Sequence, residues 1–152
     1  MLASRTFLPI LKPTGRIVNV ASSAGVLSKY SDTVRERFLS AKTEDDITAI
    51  MRDFASAVEQ GREKDAGFPS AAYATSKAAC IGGTKALARA EKESGGKKLV
   101  NACCPGYVNT DMTKGNGTKT PDQGAQTPVF LALHDIGGKT GEFWRDEKVI
   151  EW

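Results

Sequence analysis

Cysteine and histidine, the residues that build disulfide frameworks and many metal centres, are scarce in this sequence. The 152 residues contain three cysteines, Cys80, Cys103 and Cys104, and a single histidine, His134. They form no CxxC pair and no histidine cluster, so the sequence predicts neither a structural zinc site nor a disulfide-bonded fold. Because unpaired cysteines suit a reducing compartment, we expect a cytoplasmic protein without a metal centre.

Long apolar runs and a strong excess of one charge are also lacking. No run approaches the roughly 18 apolar residues that a membrane-spanning helix needs. The 21 basic and 18 acidic residues are interspersed and give a net charge of only +3, which argues against the basic stripe of a nucleic-acid-binding protein. We therefore expect neither a membrane nor a nucleic acid as partner. The composition, 40% hydrophobic and 26% charged, is that of a globular chain of one-domain size.

The first fifteen residues lack the pattern of a secretory signal peptide. Their apolar run, residues 7–11, is short and is interrupted by Pro9, whereas a signal peptide has a longer apolar centre and small residues at its cleavage site. All charged residues before the first acidic residue, Asp32, are basic. A mitochondrial transit peptide therefore stays open as the minor alternative.

Two segments rich in apolar residues predict buried strands. Residues 15–21 form the first and lead into Ser22, and residues 97–104 form the second and stop at Pro105. Residues 141–150 predict a last strand or a hairpin. Since long helical segments separate these runs, we predict an α/β fold whose parallel strands are joined by crossover helices.

The helical segments are marked by their starts and ends. Residues 31–60 are charged and favour helix, with a helix start at Thr43, and residues 70–93 form an alanine-rich helix without proline. Another helix is predicted to begin after Thr120, where proline and glutamine follow in capping positions, and to end at residues 137–138, which are both glycine.

No phosphate-binding loop is complete in this chain. Gly138 begins a Gly-Lys-Thr sequence, but Leu133 stands where a P-loop requires its first glycine. Gly115 and Gly117 lack the third glycine and the preceding strand of a dinucleotide-binding fingerprint.

Tyr73 and Lys77 form the first candidate for chemistry. Four positions apart on a helix, they share one face, and an ammonium group beside a phenol stabilises the phenolate, so that the phenol can act as an acid nearer neutral pH. Alone, the pair is better explained by a partly buried tyrosine and a solvated lysine. However, Ser22 and Pro105 each follow a predicted parallel strand, at the edge where open α/β sheets bind their ligands. Together these residues predict a site.

Three motifs then resemble the short-chain dehydrogenases/reductases, in that family's order. They are residues 19–25 (NVASSAG), 73–77 (YATSK) and 105–110 (PGYVNT). The 51-position separation of Ser22 and Tyr73, with a charged helical insertion at about 28–68, resembles the carbonyl reductase branch. The resemblance implies a single partial domain over residues 1–152, the C-terminal part of a Rossmann-type doubly wound parallel sheet.

The resemblance also implies an activity, the NADPH-dependent reduction of ketones, aldehydes or quinones. Tyr73 would protonate the carbonyl oxygen, Ser22 would hydrogen-bond to the same oxygen, and Lys77 would hold the nicotinamide ribose. Tyr107 would line the substrate pocket, with ordinary packing as the alternative. Cofactor contacts are implied, in addition to Tyr73 and Lys77, for Pro105, Gly106, Val108 and Thr110.

Motifs that come earlier in this family have no counterpart in the chain. They are the glycine-rich loop, the residue that selects NADP or NAD, and the helix asparagine of the catalytic tetrad. The chain therefore resembles the C-terminal half of a carbonyl reductase, expected to be monomeric when complete. The alternative is an inactive fragment that acts through protein contacts. Such a fragment could self-associate at the strand edge left open.

Overall fold

The computed structural model describes residues 2–152, and its elements alternate as the sequence predicts. In chain order they are α1 (Leu2–Phe7), β1 (Arg16–Val20), α2 (Asp32–Ser40), α3 (Glu44–Glu59), α4 (Ala72–Glu93), β2 (Leu99–Cys104), α5 (Pro121–Leu133), β3 (Phe143–Arg145) and β4 (Lys148–Val149).

The four strands form one mixed sheet in the order β1-β2-β3-β4. β1 pairs with β2 and β2 with β3 in parallel, whereas β3 and β4 form an antiparallel hairpin. Val20 lies beside Cys103 in this register, so the segments that follow β1 and β2 leave the sheet at the same edge. The predicted α/β fold with parallel crossovers is confirmed.

Two helix starts are built as their sequences predict. The Thr43 side chain accepts the backbone N–H of Asp46 at 3.1 Å, and the Asp46 carboxylate accepts the N–H of Thr43 at 2.9 Å. Backbone N–H groups of Lys42 and Thr43 hold the pKa of Asp46 below its usual value. Thr120 and Gln123 form the same reciprocal pair at the start of α5.

The charged segment at 31–60 forms two helices, and the second begins after Thr43, as predicted, where the backbone is extended (φ −124°, ψ 162°). One helix end differs from the prediction. α5 ends at Leu133 rather than at the glycines of 137–138. The guanidinium of Arg16, on β1, donates to the carbonyls of Leu131 and His134 there, so a tertiary contact satisfies the end of this helix.

Helices cover both faces of the sheet, and β2 is its buried centre. Val100 packs with Leu8 and with Leu87 of α4 on one face, whereas Cys103 packs with Leu131 of α5 on the other. Successive β2 side chains thus enter opposite cores, as strand geometry requires. α2 and α3 pack on α4 through a third core, whose large members are Leu27, Tyr30, Val34, Phe38, Ile47, Ile50, Phe54 and Phe68.

Residues 2–152 lack two kinds of feature. None of the helices there combines the length and the apolar character that crossing a membrane demands. Nor does any group of three or more histidine, cysteine, aspartate or glutamate side chains in that range form a potential metal site.

Candidate active site

A cavity of about 660 Å³ opens where β1 and β2 end. Every site residue predicted from the sequence lines it: Ser22, Tyr73, Lys77, Pro105, Gly106, Tyr107, Val108 and Thr110. Five further residues that the sequence analysis did not single out complete the lining: Val20, Ala21, Met112, Thr113 and Lys114.

Ser22 is placed by the turn that follows β1. Its hydroxyl oxygen accepts the backbone N–H of Ala24 at 3.1 Å and so caps a short 3₁₀ turn at Ser23–Gly25. Because this bond uses the oxygen as acceptor, the hydroxyl proton is left to donate into the cavity. Ser23 does not line the cavity, and its hydroxyl lies 3.6 Å from the sulfur of Cys104.

Gly25 lets this turn lie directly against α4. A Cβ atom at position 25 would be 2.6 Å from the backbone nitrogen of Ala78 and 2.6 Å from the carbonyl carbon of Lys77. Both of those atoms belong to the main chain, so no rotamer change could relieve the contact. The close contact between the backbone at Gly25 and the backbone of α4 therefore sets the distance between the Ser22 turn and Lys77.

Tyr73 and Lys77 lie near the start of α4, on the side that faces the cavity. The Lys77 ammonium is 5.6 Å from the centre of the Tyr73 ring and donates to the carbonyl oxygen of Val20 at 3.1 Å. Lys77 thus connects the end of β1 with the tyrosine. The Tyr73 side chain is 54% exposed, so a ligand in the cavity can reach its hydroxyl.

The segment between β1 and α4 holds the first turns of α4. The Tyr30 hydroxyl donates to Thr75 at 3.4 Å in a buried position, and the Tyr30 ring contacts Phe38 and Phe68 edge-on. Burial raises the pKa of Tyr30, so this hydroxyl stays a neutral donor. Thr75 lies between Tyr73 and Lys77 on the helix, so these contacts fix the orientation of the turn that carries both.

The turn after β2 forms the opposite wall of the cavity. The sulfur of Cys104 accepts the backbone N–H of Gly106 at 3.4 Å. Gly106 has a left-handed backbone (φ +86°), and a Cβ there would come within 2.9 Å of the Lys119 side chain. The left-handed backbone is what requires glycine here, since the end of the flexible Lys119 side chain could move away from a Cβ. The Lys119 ammonium pairs with Asp146 at 2.5 Å and lowers the pKa of that carboxyl group.

A loop between residues 107 and 119 extends the wall. Its base is closed by hydrogen bonds from the N–H of Asn109 to the Lys119 carbonyl (2.8 Å) and from the N–H of Lys119 to the Tyr107 carbonyl (3.0 Å). The loop presents Met112 and Lys114 to the cavity. Met112 and Lys114 were not predicted because the motif at 105–110 ends at Thr110. The only indication in the sequence was that both residues lie close to that motif.

The adjacent cysteines are packing residues in this arrangement. Cys103 is fully buried, and burial raises the pKa of its thiol to about 12. Since the thiolate is the reactive form, Cys103 is inert near neutral pH.

Comparison with known proteins agrees with this architecture. The model of the short chain dehydrogenase family matches residues 58–121, the segment that contains the Tyr73 motif and the turn after β2. Salutaridine reductase from Papaver somniferum superimposes with a TM-score of 0.83 and 34% sequence identity, over 93% of this chain and 49% of that protein. Menthone neomenthol reductase from Mentha piperita gives a TM-score of 0.67 at 26% identity, over 92% of this chain and 44% of that protein.

Curated relatives point the same way. The NADPH carbonyl reductase 1 of Bos taurus is 39% identical over 152 aligned positions, which cover 95% of this chain and 55% of the bovine protein. The corresponding protein of Oryctolagus cuniculus is 40% identical with the same coverage. The chain thus spans about half the length of the curated relatives it matches. By its motifs, its sheet and these relatives, the chain is similar to the short-chain dehydrogenases/reductases and, among them, to the carbonyl reductases.

Proposed function

We propose that this chain carries the carbonyl-reducing half of an NADPH-dependent carbonyl reductase. The observation that supports the proposal is the convergence of a phenol, a serine hydroxyl and a lysine ammonium on one cavity at the ends of two parallel strands. The name of the relatives supports a carbonyl compound as the substrate, and within that class we propose a ketone, an aldehyde or a quinone. The selection of NADPH over NADH rests on those names alone.

The cavity fits the nicotinamide end of such a cofactor. Gly106 has no side chain on the wall, and the apolar side chains of Val20 and Val108 offer a surface for a flat ring. Lys77 and Thr110 supply polar groups beside them. When bound, NADPH supplies the hydride that reduces the carbonyl carbon.

The chain's own residues would then manage the carbonyl oxygen. Negative charge develops on that oxygen during reduction, and hydrogen bonds aimed at it stabilise the transition state. Ser22 donates its free hydroxyl proton as a hydrogen bond, and Tyr73 transfers its phenolic proton to form the alcohol. Lys77, held by the Val20 carbonyl at 3.1 Å, supplies the positive charge beside the phenol that stabilises the phenolate left behind.

The remaining assignments follow from the same proposal. Residues 28–68 are an insertion into a single partial domain 1–152, since α2 and α3 pack on α4 and leave the cavity open. In this position they cover a helix face, which favours a monomer for the complete enzyme. The free thiols of Cys80, Cys103 and Cys104 suit the cytoplasm.

The first test compares NADPH with its nicotinamide half, reduced nicotinamide mononucleotide. Dinucleotide affinity depends on a glycine-rich loop and a helix N-terminus that hold the pyrophosphate, and this chain contains no such loop. We therefore expect the 152-residue chain to bind both molecules weakly, with dissociation constants of about 1 mM, equivalent to about −4 kcal/mol, and within threefold of each other. Titrations followed by ligand fluorescence measure both constants.

Two variants make this titration specific. Lys77→Met should abolish binding of reduced nicotinamide mononucleotide, while Lys64→Met, the same change at an exposed lysine outside the cavity, should leave it intact. Binding of NADPH tighter than that of the mononucleotide by tenfold or more would reveal a second nucleotide site in the chain. Absence of mononucleotide binding would contradict the proposed function.

One observation favours the alternative role in protein contacts. Within residues 2–152, β1 pairs with β2 alone, and the segment before β1 carries two exposed apolar residues, Leu2 and Ile10. Unpaired strand edges pair readily with other strands. We expect the chain to self-associate through this edge at micromolar concentration, as measured by sedimentation velocity. A monomer at every concentration tested would reject this role.

A further inference from the structure

Lys114 occupies an unusual position at the mouth of the cavity. It follows the short 3₁₀ turn at Asp111–Thr113 and adopts a left-handed backbone conformation (φ 51°, ψ 38°). Side chains other than glycine and asparagine adopt this conformation rarely and at a cost in free energy, and such residues cluster at ligand-binding sites. Lys114 is one of the residues that line the cavity.

The charge of Lys114 is not used inside the protein. Among residues 2–152, its ammonium group forms none of the ion pairs and none of the side-chain hydrogen bonds. The other lysine of the cavity, Lys77, is engaged with the Val20 carbonyl. The cavity lining contains no aspartate or glutamate from the described part of the chain. The cavity lining therefore carries a positive charge that no acidic side chain of the lining balances.

Apolar surface surrounds this charge. Tyr73, Tyr107 and Met112 line the same cavity and are 54%, 52% and 84% exposed, respectively. Half-exposed aromatic rings and a thioether favour contact with a flat, apolar ligand. The lining is thus complementary to a ligand with an aromatic body and an anionic group.

We propose that Lys114 recognises an anionic oxygen group on the ligand held in this cavity and acts as a specificity residue of the proposed reductase. Two sources share this chemistry: a carboxylate on the carbonyl substrate, and the phosphate of the nicotinamide nucleotide. The inference rests on the proposed function, because it concerns the ligands of the same cavity.

Methionine signals give a direct test in the 152-residue chain. Its three methionines are Met1, Met51 and Met112; Met112 lines the cavity, whereas Met51 lies in a separate groove between α3 and α4. In a chain labelled with ¹³C-methyl methionine, the Met112 signal reports binding and the Met51 signal serves as internal reference. Two ligand pairs differ in charge: 4-benzoylbenzoate against 4-methylbenzophenone, and reduced nicotinamide mononucleotide against reduced nicotinamide riboside.

At low ionic strength the anionic member of at least one pair should bind about three- to fivefold more tightly, as one exposed ion pair allows. Lys114→Gln should remove that preference, while Lys64→Gln, a change at an exposed lysine outside the cavity, should keep it. A preference in the benzophenone pair assigns Lys114 to the substrate, and one in the nucleotide pair assigns it to the cofactor.

Other outcomes separate the two claims. Equal affinity for both members of both pairs, or a preference that survives Lys114→Gln, would overturn the role of Lys114 and leave the reductase proposal standing. If none of the four ligands shifts the Met112 signal, the cavity does not bind carbonyls or nicotinamides, and both proposals are wrong.

Discussion

Replacing Tyr73 with phenylalanine should reduce turnover by about 10²- to 10⁴-fold, the usual contribution of a general acid. The expectation applies to a reductase in which these 152 residues replace the matching stretch of the bovine relative, so that a complete cofactor site is supplied. Tyr73 is the phenol beside Lys77, whose ammonium lies 5.6 Å from the ring centre, and phenylalanine keeps the ring while removing the proton. Oxidation of NADPH in the presence of menadione measures the rate.

Tyr107→Phe is the matched control for this change. Tyr107 lines the same cavity and is about equally exposed, at 52% against 54% for Tyr73, but it lies in the loop after β2 and has no lysine four positions further on. Its loss of a hydroxyl should alter turnover by only a few-fold, and both variants should bind NADPH as the parent does. If Tyr73→Phe turned over within about twofold of the parent, Tyr73 would not be the proton donor.

Replacing Gly25 with alanine should destabilise the chain by about 1–3 kcal/mol, the usual cost of adding a methyl group where there is no space. The new Cβ would meet main-chain atoms of Lys77 and Ala78 at 2.6 Å, so the Ser22 turn and α4 must separate. Urea denaturation of the 152-residue chain measures the free energy of unfolding. The same separation should weaken binding of reduced nicotinamide mononucleotide.

Gly61→Ala controls for the loss of a glycine. Gly61 has a left-handed backbone (φ +64°), and a Cβ at this position would have no neighbouring atom within 4 Å, so alanine there adds only conformational strain of about 1 kcal/mol. Gly25→Ala should cost clearly more and should affect ligand binding, which Gly61→Ala should not. Equal effects of the two substitutions would show that contact at Gly25 does not hold the site together.

Features determined by neighbouring residues were predictable from the sequence. The capping sequences at Thr43 and Thr120 placed two helix starts, because the cap and its partner are three residues apart. The clustering of the predicted residues around one cavity was predictable for a related reason. Ser22 and Pro105 directly follow apolar strands, and parallel strands bring those ends to one sheet edge.

Features determined by distant contacts were not predictable. The end of α5 depends on Arg16, which is 115 positions before Leu131, and no local pattern reports such a partner. The sequence did not indicate that Lys114 lines the cavity either, because its position depends on the hydrogen bonds that close the loop at Tyr107, Asn109 and Lys119. The need for glycine at position 25 likewise becomes visible only once α4 lies against the turn.

The central claim, that the cavity at the ends of β1 and β2 holds a nicotinamide beside Tyr73, is tested most directly by the mononucleotide titration followed through the tyrosines. The chain contains three of them: Tyr73 and Tyr107 line the cavity, whereas Tyr30 is buried beneath α2. With ¹³C-labelled tyrosine, reduced nicotinamide mononucleotide should shift the Tyr73 and Tyr107 signals together and leave Tyr30 in place. Unchanged Tyr73 and Tyr107 signals at saturating ligand would contradict the account.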